Sequence, residues 1–398
     1  MFLGIQYNSS SWLFVCPFIV LVNNMKNPFK KGSDDTRVDA KENPQNKPES
    51  QSRADYQHYI GRKMLFMAIM IILLGLIGAF IVTIGPLDIS VPDVYKILLS
   101  SLFPGNFATE GLPSQVVWNI RLPRIVAGIM AGFGLGICGC VMQAVLKNPL
   151  ASPFTLGISA GANFGVAVAA VVGVGVIGGP YLLVGNAFLF AMLCALFIIA
   201  LASFKGATSE TLILAGIAIN YLFGSLSDLF RYFATDEQLR VMVSWGMGDL
   251  SAFSWNNFLL LLVVFVICTP LLYMKANDLN IMAIGDENAK SLGIEANRVR
   301  MFSMLVASLL IATIVCFTGT IAFIGLVAPH MARMVIGSDH KYLFPASGLV
   351  GALVLISADA TGMNILRPTM IPTGIMTSLL GVPFFMYLIL KRKRKEFW

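Results

Sequence analysis

Long uncharged runs alternate with short polar segments along most of this chain. Residues 148–204, for example, contain no Asp, Glu, Lys or Arg. The hydrocarbon layer of a membrane is about 30 Å thick and takes about 20 apolar residues per helix, so this window is long enough for two spans. Because Gly and Pro end helices, a turn between them is predicted at Gly178-Gly179-Pro180. The pattern therefore predicts a helical protein that crosses a membrane many times.

The same pattern predicts about ten transmembrane helices along the whole chain. The predicted spans are residues 64–85, 125–146, 154–176, 182–204, 212–227, 255–274, 301–318, 321–336, 343–357 and 371–390. Residues 301–332 carry no Asp, Glu, Lys or Arg, a length too great for one helix and short for two. We therefore expect a tight or re-entrant turn near Gly319.

The composition excludes a soluble globular enzyme. Of 398 residues, 57% are hydrophobic and 12% are charged, whereas soluble domains are about 45–50% apolar and about 25% charged. The formal net charge is +7, but the basic residues lie between apolar runs, so we expect no nucleic-acid partner. The cysteines lack CxxC spacing and mostly lie in apolar runs, which is typical of packing residues. They are Cys16, Cys138, Cys140, Cys194, Cys268 and Cys316.

The distribution of Lys and Arg predicts the orientation. With ten spans, both termini lie on one side of the membrane. Without residues 26–63, the segments on that side carry thirteen Lys and Arg residues, against six on the other side. Basic residues accumulate in the cytoplasmic loops of membrane proteins. Both termini are therefore expected in the cytoplasm.

The N-terminal part differs from the rest of the chain. Residues 1–22 are moderately apolar without a basic segment before them, so they fit neither a secretory signal nor a good anchor, and Met25 is an alternative start. Residues 26–62 are rich in Lys, Asp, Asn, Pro and Ser, a composition too polar to form a core. We predict an N-terminal segment with a disordered cytoplasmic tail over residues 1–62, and a ten-helix transmembrane domain over residues 63–398.

Few groups with acid–base chemistry lie deep in the predicted spans. Asp228 and Asp359 are near helix ends, and His330 follows Pro329 in a broken apolar segment. His330 is compatible with a hydrogen-bonded residue at a helix end and with a ligand or gate role. An ion-driven carrier usually has a carboxylate or His within a span, and a membrane-embedded enzyme would need such groups clustered at one face. Neither pattern is present, nor is a phosphate-binding loop of the type GxxxxGK(S/T).

Residues 121–162 are the most informative stretch, RLPRIVAGIMAGFGLGICGCVMQAVLKNPLASPFTLGISAGA. Glycines at positions 128, 132, 134, 136 and 139 allow a neighbouring helix to approach closely, which generic packing explains. Gln143 and the Asn148-Pro149 break place amide groups and an interrupted backbone at membrane depth or at its inner edge. Inside a membrane such groups find hydrogen-bond partners only in surrounding protein or in a water-filled path. A pathway or gate role is therefore predicted for Asn148, Pro149 and Leu150.

This stretch resembles the FecCD-type permeases, the membrane subunits of ATP-binding-cassette (ABC) importers for iron-siderophore, haem and cobalamin. Three further blocks resemble the same family in the same order: residues 284–300 (IGDENAKSLGIEANRVR), 319–352 (beginning GTIAFIGLVAPH) and 371–395 (beginning IPTGIMTSLLGVPFF). The resemblance covers residues 64–395. It implies the type II importer permease fold, an all-α membrane protein with about ten transmembrane helices and both termini cytoplasmic.

The resemblance also implies the partners. They are a second copy or a related permease, two ATPase subunits and an extracytoplasmic substrate-binding protein. ATP and Mg would bind to the ATPase subunits, so this chain would bind no cofactor and no metal of its own and would not be an enzyme. The expected place is the cytoplasmic membrane of a prokaryote.

Docking residues are implied at the outer side. Arg121 and Arg124 match an outward-facing arginine pair that docks the binding protein, and exposed guanidiniums three residues apart would steer an acidic partner. Arginines that snorkel from a span end would have the same pattern. Met370 stands where the family usually has Glu, and Met363 stands where an Arg is often found. Arg367 is a candidate replacement docking charge, and the departure leaves the third docking contact and the ligand class open.

Gate and coupling residues are implied at the inner side. Gln143 and residues 148–150 match the family motif near the inner gate, and Thr208 and Ser209 are expected to face them. Residues 284–294 predict a short amphipathic helix that matches the family's coupling helix, which lies in a groove of the ATPase subunit. Its implied residues are Gly285, Asp286, Glu287, Ala289, Leu292 and Gly293.

The expected function is import of an iron-siderophore or a similar metal chelate. Cobalamin, haem and molybdate are alternatives within the same class, because the binding protein largely sets specificity. An ion-gradient-driven transporter is a less favoured alternative. The sequence leaves open the chelate, the choice between homodimer and heterodimer, and the true start codon.

Overall fold

The described part of the chain, residues 49–85, 87–102, 111–205 and 208–391, is helical, and this computed structural model has no strand in those ranges. In chain order the α-helices are α1 (Glu49–Val82), α2 (Val91–Leu102), α3 (Leu112–Val116), α4 (Leu122–Val145), α5 (Ile158–Val172), α6 (Leu182–Lys205), α7 (Ser209–Phe233), α8 (Asp236–Gly246), α9 (Trp255–Met274), α10 (Ala276–Met282), α11 (Asp286–Ser291), α12 (Ala296–Thr318), α13 (Ile324–Ile336), α14 (His340–Asn364) and α15 (Thr373–Lys391).

Ten apolar helical segments form the membrane domain of the described residues. Seven are long and apolar enough to cross a membrane: Tyr59–Val82, Leu112–Val145, Gly179–Phe204, Ser209–Phe233, Trp255–Met274, Ala296–Thr318 and His340–Asn364. Three are shorter: Ile158–Val172, Ile324–Ile336 and Thr373–Tyr387. The predicted number and order of apolar helices are confirmed.

Three helices form the centre of the domain. In the segments that contain α4, α12 and α14, 83%, 78% and 83% of the residues in the most apolar stretch are buried. In the other four long segments this share is 17–33%. Small residues allow the close contact: a Cβ at Gly139 would overlap the carbonyl oxygen of Gly325 on α13, and one at Gly136 would overlap that of Ser347 on α14. The close approach predicted from the glycine pattern is therefore present.

The span that contains α4 begins earlier than predicted. It runs continuously from Leu112 rather than from residue 125, with a wider, π-helical turn over Val117–Arg121. Pro123 lacks an N–H and cannot bond to the carbonyl of Asn119, so the wide turn lies where the regular ladder is interrupted. Arg121 and Arg124 therefore lie within the helical segment and not before it.

The breaks between helices agree with the predicted turns. α12 ends at Thr318, Gly319 has φ 66°, and α13 begins at Ile324. A 3₁₀ turn over Gly179–Tyr181 precedes α6. At the N-terminus α1 begins at Glu49, within residues 1–62, and its apolar segment begins at Tyr59; the boundary at residue 63 stays a prediction. Residues 1–48, with Met25 and Cys16, lie outside the described residues.

Candidate functional site

The break between α4 and α5 lies beside the short helix α11, and one carboxylate joins them. Asp286, the first residue of α11, accepts a hydrogen bond from Lys147 Nζ at Oδ1 (2.9 Å) and from Arg300 Nη2 at Oδ2 (3.0 Å). Arg300 is buried, and its Nε also donates to the carbonyl of Val145 in the last turn of α4 (3.3 Å). The three charged side chains therefore connect the end of α4, the start of α11 and the start of α12.

The electrostatics of this cluster favour an ionised Asp286. Partial burial raises the pKa of this carboxyl, but the hydrogen bonds and charges of Lys147 and Arg300 outweigh burial and lower the pKa below its usual value. The carboxylate is therefore charged at neutral pH, and both ion pairs are present.

The shape of α11 follows from the glycines that flank it. Gly285 has φ 136° and Gly293 has φ 83°, conformations that residues with a Cβ rarely adopt. Between them only six residues are helical, and Ala289 is buried. Glu287 is exposed, and so is Leu292, whose residue surface is 65% accessible. The predicted short helix is present, with Glu287 exposed on it and Leu292 exposed directly after it.

Residues 147–150 have an irregular backbone between α4 and α5 and are called the gate segment below, after the role that the sequence predicts for residues 148–150. Lys147 has φ 45°, which is unusual for a residue with a side chain. Asn148 Oδ1 accepts a hydrogen bond from the backbone N–H of Leu150 (2.9 Å), and Leu150 is exposed. The carbonyl of Pro149 lies 2.8 Å from His330 Nε2 on α13. His330 is thus hydrogen-bonded to the gate segment itself.

Gln143 joins the last turns of α4 to α13. Its side chain is buried; Nε2 donates to the carbonyl of Leu326 (3.3 Å), and Oε1 accepts from Arg333 Nη2 (3.2 Å). His330 and Arg333 lie three residues apart, on one face of α13. The structure therefore brings Gln143, the gate segment and the Pro-containing helix α13 together.

Thr208 and Ser209 are not joined to this cluster by hydrogen bonds. Thr208 caps α7: its Oγ1 accepts from the backbone N–H of Thr211 (3.3 Å) and lies 2.9 Å from the Thr211 hydroxyl. Thr208 is exposed and Ser209 is partly buried. Their predicted position opposite Gln143 stays a prediction.

The opposite end of α4 carries a buried ion pair. Arg124 Nε and Nη2 each donate to one oxygen of Asp359 on α14, both at 2.8 Å. Asp359 also accepts from the hydroxyl of Thr373 (2.5 Å), and Arg124 Nη2 is 3.4 Å from Asp249. Arg124 Nη1 lies 3.7 Å from the sulfur of Met370. Arg124 thus holds together α4, α14, the start of α15 and the segment after α8.

The exposure expected of the arginine pair is corrected. Arg121 and Arg124 are each only 5% accessible. Arg121 donates to the carbonyls of Val82 (2.9 Å) and Leu87 (2.5 Å), which fixes the connection between α1 and α2. Arg367 differs: it is partly exposed and forms a 3.6 Å ion pair with the exposed Asp88. Arg124 is buried against Asp359, which lies 235 positions away, and a pattern of charges along the chain does not reveal such a contact.

The sequence pattern missed the partners that organise both clusters. In the sequence, Lys147 and Arg300 indicate only which side of the membrane is cytoplasmic, and nothing in the pattern indicates a role for Asp249. Asp359 lies near a predicted helix end on the same side of the membrane as Arg124, and this opposite charge is the signal that could have paired the two residues. Within the described ranges, no group of three or more His, Cys, Asp or Glu residues is arranged to hold a metal ion.

Known proteins resemble this chain over most of its length. The model of the FecCD transport family matches residues 68–391. A Methanocaldococcus jannaschii protein named as an ABC transporter permease, MJ0087, is 40% identical over 349 residues, 85% of this chain and 98% of that protein. The hemin transport system permease protein HmuU of Yersinia pestis is 33% identical over 337 residues, 84% of this chain and 97% of that protein.

A solved structure has the same fold. It is described as an inward-facing conformation of a metal-chelate type ABC transporter, and it matches with a TM-score of 0.72 and 30% identity over 82% of this chain and 99% of that chain. The ten apolar helices and these likenesses define a membrane permease of the metal-chelate type of ABC importer. The chain belongs to the FecCD transport family.

Proposed function

We propose that this chain, as a dimer, forms the translocation path of an ABC importer that carries an iron-siderophore or similar metal chelate across the cytoplasmic membrane. Two separate ATPase subunits bind ATP and Mg and hydrolyse the ATP, and a substrate-binding protein delivers the chelate from outside. Both termini are cytoplasmic, and the membrane is the inner membrane of a prokaryote.

The observation that carries this proposal is the contact between α11 and the gate segment. A short helix with an exposed Glu287, followed directly by an exposed Leu292, is suited to bind in a groove of a partner protein. Its first residue, Asp286, is ion-paired to Lys147 of the gate segment at 2.9 Å. An ATPase subunit that moves α11 would therefore act directly on the irregular backbone between two spans.

The outer end is proposed as the docking face for the binding protein. Arg367 is an exposed cation there and is suited to steer an acidic partner. Arg121 and Arg124 contribute by holding the surrounding segments in place, because their own guanidiniums are buried.

The names of the relatives support the proposed ligand class. Some are named as permeases for Fe(3+)-citrate, for cobalamin and for molybdate. An iron chelate is the proposed cargo; cobalamin, haem and molybdate are the alternatives. An ion-gradient mechanism is not favoured, because the buried carboxylate of Asp359 is already occupied by Arg124 and Thr373.

The test is uptake into vesicles that contain this chain with the ATPase and binding protein encoded beside it. Ferric siderophores, haem, cobalamin and molybdate are compared with and without ATP. Uptake that requires both ATP and the ATPase subunit supports the proposal and identifies the ligand. Uptake driven by an ion gradient without the ATPase would contradict it.

A further inference from the structure

Asp286 is the point where α11 meets the gate segment. We propose that Asp286, acting through Lys147 and Arg300, is the positioning residue that transmits displacement of α11 to the gate segment. This inference rests on the proposed function and deepens it, since the resemblance assigns no role to Lys147 or Arg300.

Asp286 connects α11 to the end of α4 through both of its carboxylate oxygens. Lys147 reaches one carboxylate oxygen at 2.9 Å, and Arg300 reaches the other at 3.0 Å. Arg300 Nε also bonds to the carbonyl of Val145. The C-terminal carbonyls of a helix lack partners within the helix, and a cation there is stabilising. Asp286 is therefore connected to both sides of the turn that ends α4, directly at residue 147 and through Arg300 at residue 145.

Residues with positive φ lie on both sides of this contact. Gly285 and Gly293 flank α11 in conformations that favour glycine, so the six-residue helix is attached at two adaptable positions. Lys147 has φ 45°, a sparsely populated conformation for a residue with a Cβ. A small shift of α11 that pulls on the Lys147 side chain therefore acts on a residue whose backbone is already in a sparsely populated conformation.

The gate segment passes the shift on to α13. The Pro149 carbonyl is bonded to His330 Nε2 (2.8 Å), and Gln143 bonds to Arg333 (3.2 Å). A contiguous series of polar contacts thus runs from α11 through residues 147–150 to the helix that carries Pro329. This series of contacts couples α11 to α13 only if a change at one helix alters the other. The test must therefore measure transport activity.

The experiment compares Asp286→Asn with the original chain in the complete vesicle system, with its ATPase and binding protein present. Two quantities are measured: ATP hydrolysed and ligand taken up. For Asp286→Asn, uptake per ATP should fall by about fivefold or more, as expected for the loss of a coupling contact. Binding of the ATPase subunits, measured by copurification, should stay unchanged, because Leu292 and Glu287 still offer the same surface.

Asp278→Asn is the matched control. Asp278 forms a 2.9 Å ion pair with Lys275 near the same end of the bundle and is partly exposed, but it does not contact the gate segment. Its uptake per ATP should equal that of the original chain. Asp286→Glu should restore much of the ratio, and Lys147→Met should reproduce the defect. The double variant should be no worse than either single variant, because the two residues act as one contact.

Two outcomes separate this inference from the proposed function. If the original chain takes up ligand with ATP and Asp286→Asn has the same uptake per ATP, the inference is wrong and the proposed function stands. If the original chain shows no ATP-dependent uptake of any tested ligand, the proposed function fails and this inference fails with it. Loss of uptake and copurification together in Asp286→Asn, without rescue by Asp286→Glu, would also contradict the inference, since it would indicate a purely structural role.

Discussion

The buried pair between Arg124 and Asp359 allows a quantitative prediction. The two side chains are 6% and 5% accessible and form two hydrogen bonds of 2.8 Å. Asp359→Asn removes the charge but keeps the size, so Arg124 remains buried with Asp249 at 3.4 Å as its remaining carboxylate. Removal of one partner of a buried pair costs about 3–5 kcal/mol. Because Asp249 retains part of the interaction, we expect the lower end, about 3 kcal/mol.

Thermal unfolding in detergent measures this cost. In the described ranges the cysteines at positions 138, 140, 194, 268 and 316 are all buried, so a thiol-reactive fluorescent dye reports unfolding. A Cys16→Ala background removes the thiol that lies outside these ranges. The unfolding midpoint of Asp359→Asn should be several degrees lower. Arg367→Met, which breaks an exposed 3.6 Å pair with Asp88, should change it little, since exposed ion pairs contribute little to stability.

A second variant distinguishes a buried charge from a loss of packing. Replacement of both members by apolar residues, Arg124→Met with Asp359→Leu, removes the unpaired charge and should recover much of the lost stability. An unchanged midpoint in Asp359→Asn would refute the ion-pair argument. A double variant as unstable as the single one would show that shape and not charge determines the loss.

Three further predictions concern other parts of the structure. Gly139→Ala should destabilise the fold by about 1–3 kcal/mol, because the added Cβ would overlap the carbonyl of Gly325. Gly78→Ala should have little effect, because a Cβ at Gly78 would have no neighbouring atom within 4 Å. The same dye assay measures both variants. The pKa of Asp286 is lower in the folded state than its ordinary value of 3.8. The ion pairs of Asp286 therefore stabilise the fold at pH values above 3.8. This stabilisation is lost as the pH falls through the lower pKa of the folded state. The difference in midpoint between the original chain and Asp286→Asn should therefore be present at neutral pH and disappear in strong acid; a constant difference would contradict the assignment. Arg367→Glu should slow association of the binding protein and weaken its salt dependence, and an unchanged on-rate in stopped-flow mixing would exclude Arg367 as a docking charge.

Local patterns predicted most of the fold. Uncharged runs located the ten apolar helices, and glycine spacing predicted the contact that Gly139 makes with α13. Gly319 marked the turn between α12 and α13, and the polar block 284–294 marked α11. These features depend on residues that are close in sequence or on the thickness of a membrane, so no tertiary information is needed.

The partners of the charged residues could not be predicted in this way. Arg124 and Asp359 are 235 positions apart, and Asp286 is 139 positions from Lys147. The span that contains α4 begins earlier than predicted for the same reason: Arg121 and Arg124 indicate the end of a span, since an unpaired charge in a membrane is costly. Arg124 pairs with a distant carboxylate and Arg121 with backbone carbonyls, so the helix continues past both.

The two clusters lie at opposite ends of α4, which is 24 residues and therefore about 36 Å long, and their exposure suits them to different tasks. The Asp359 pair is shielded from water, so its separation would leave a buried charge and is costly. Asp286 and Lys147 are 47% and 31% accessible, so water replaces the contact when it opens and the two states stay close in free energy. In the proposed coupling role this contact shifts with α11 in each transport cycle, and a low cost of displacement suits that role. We therefore expect the Asp359 end of α4 to stay fixed while the Asp286 end rearranges.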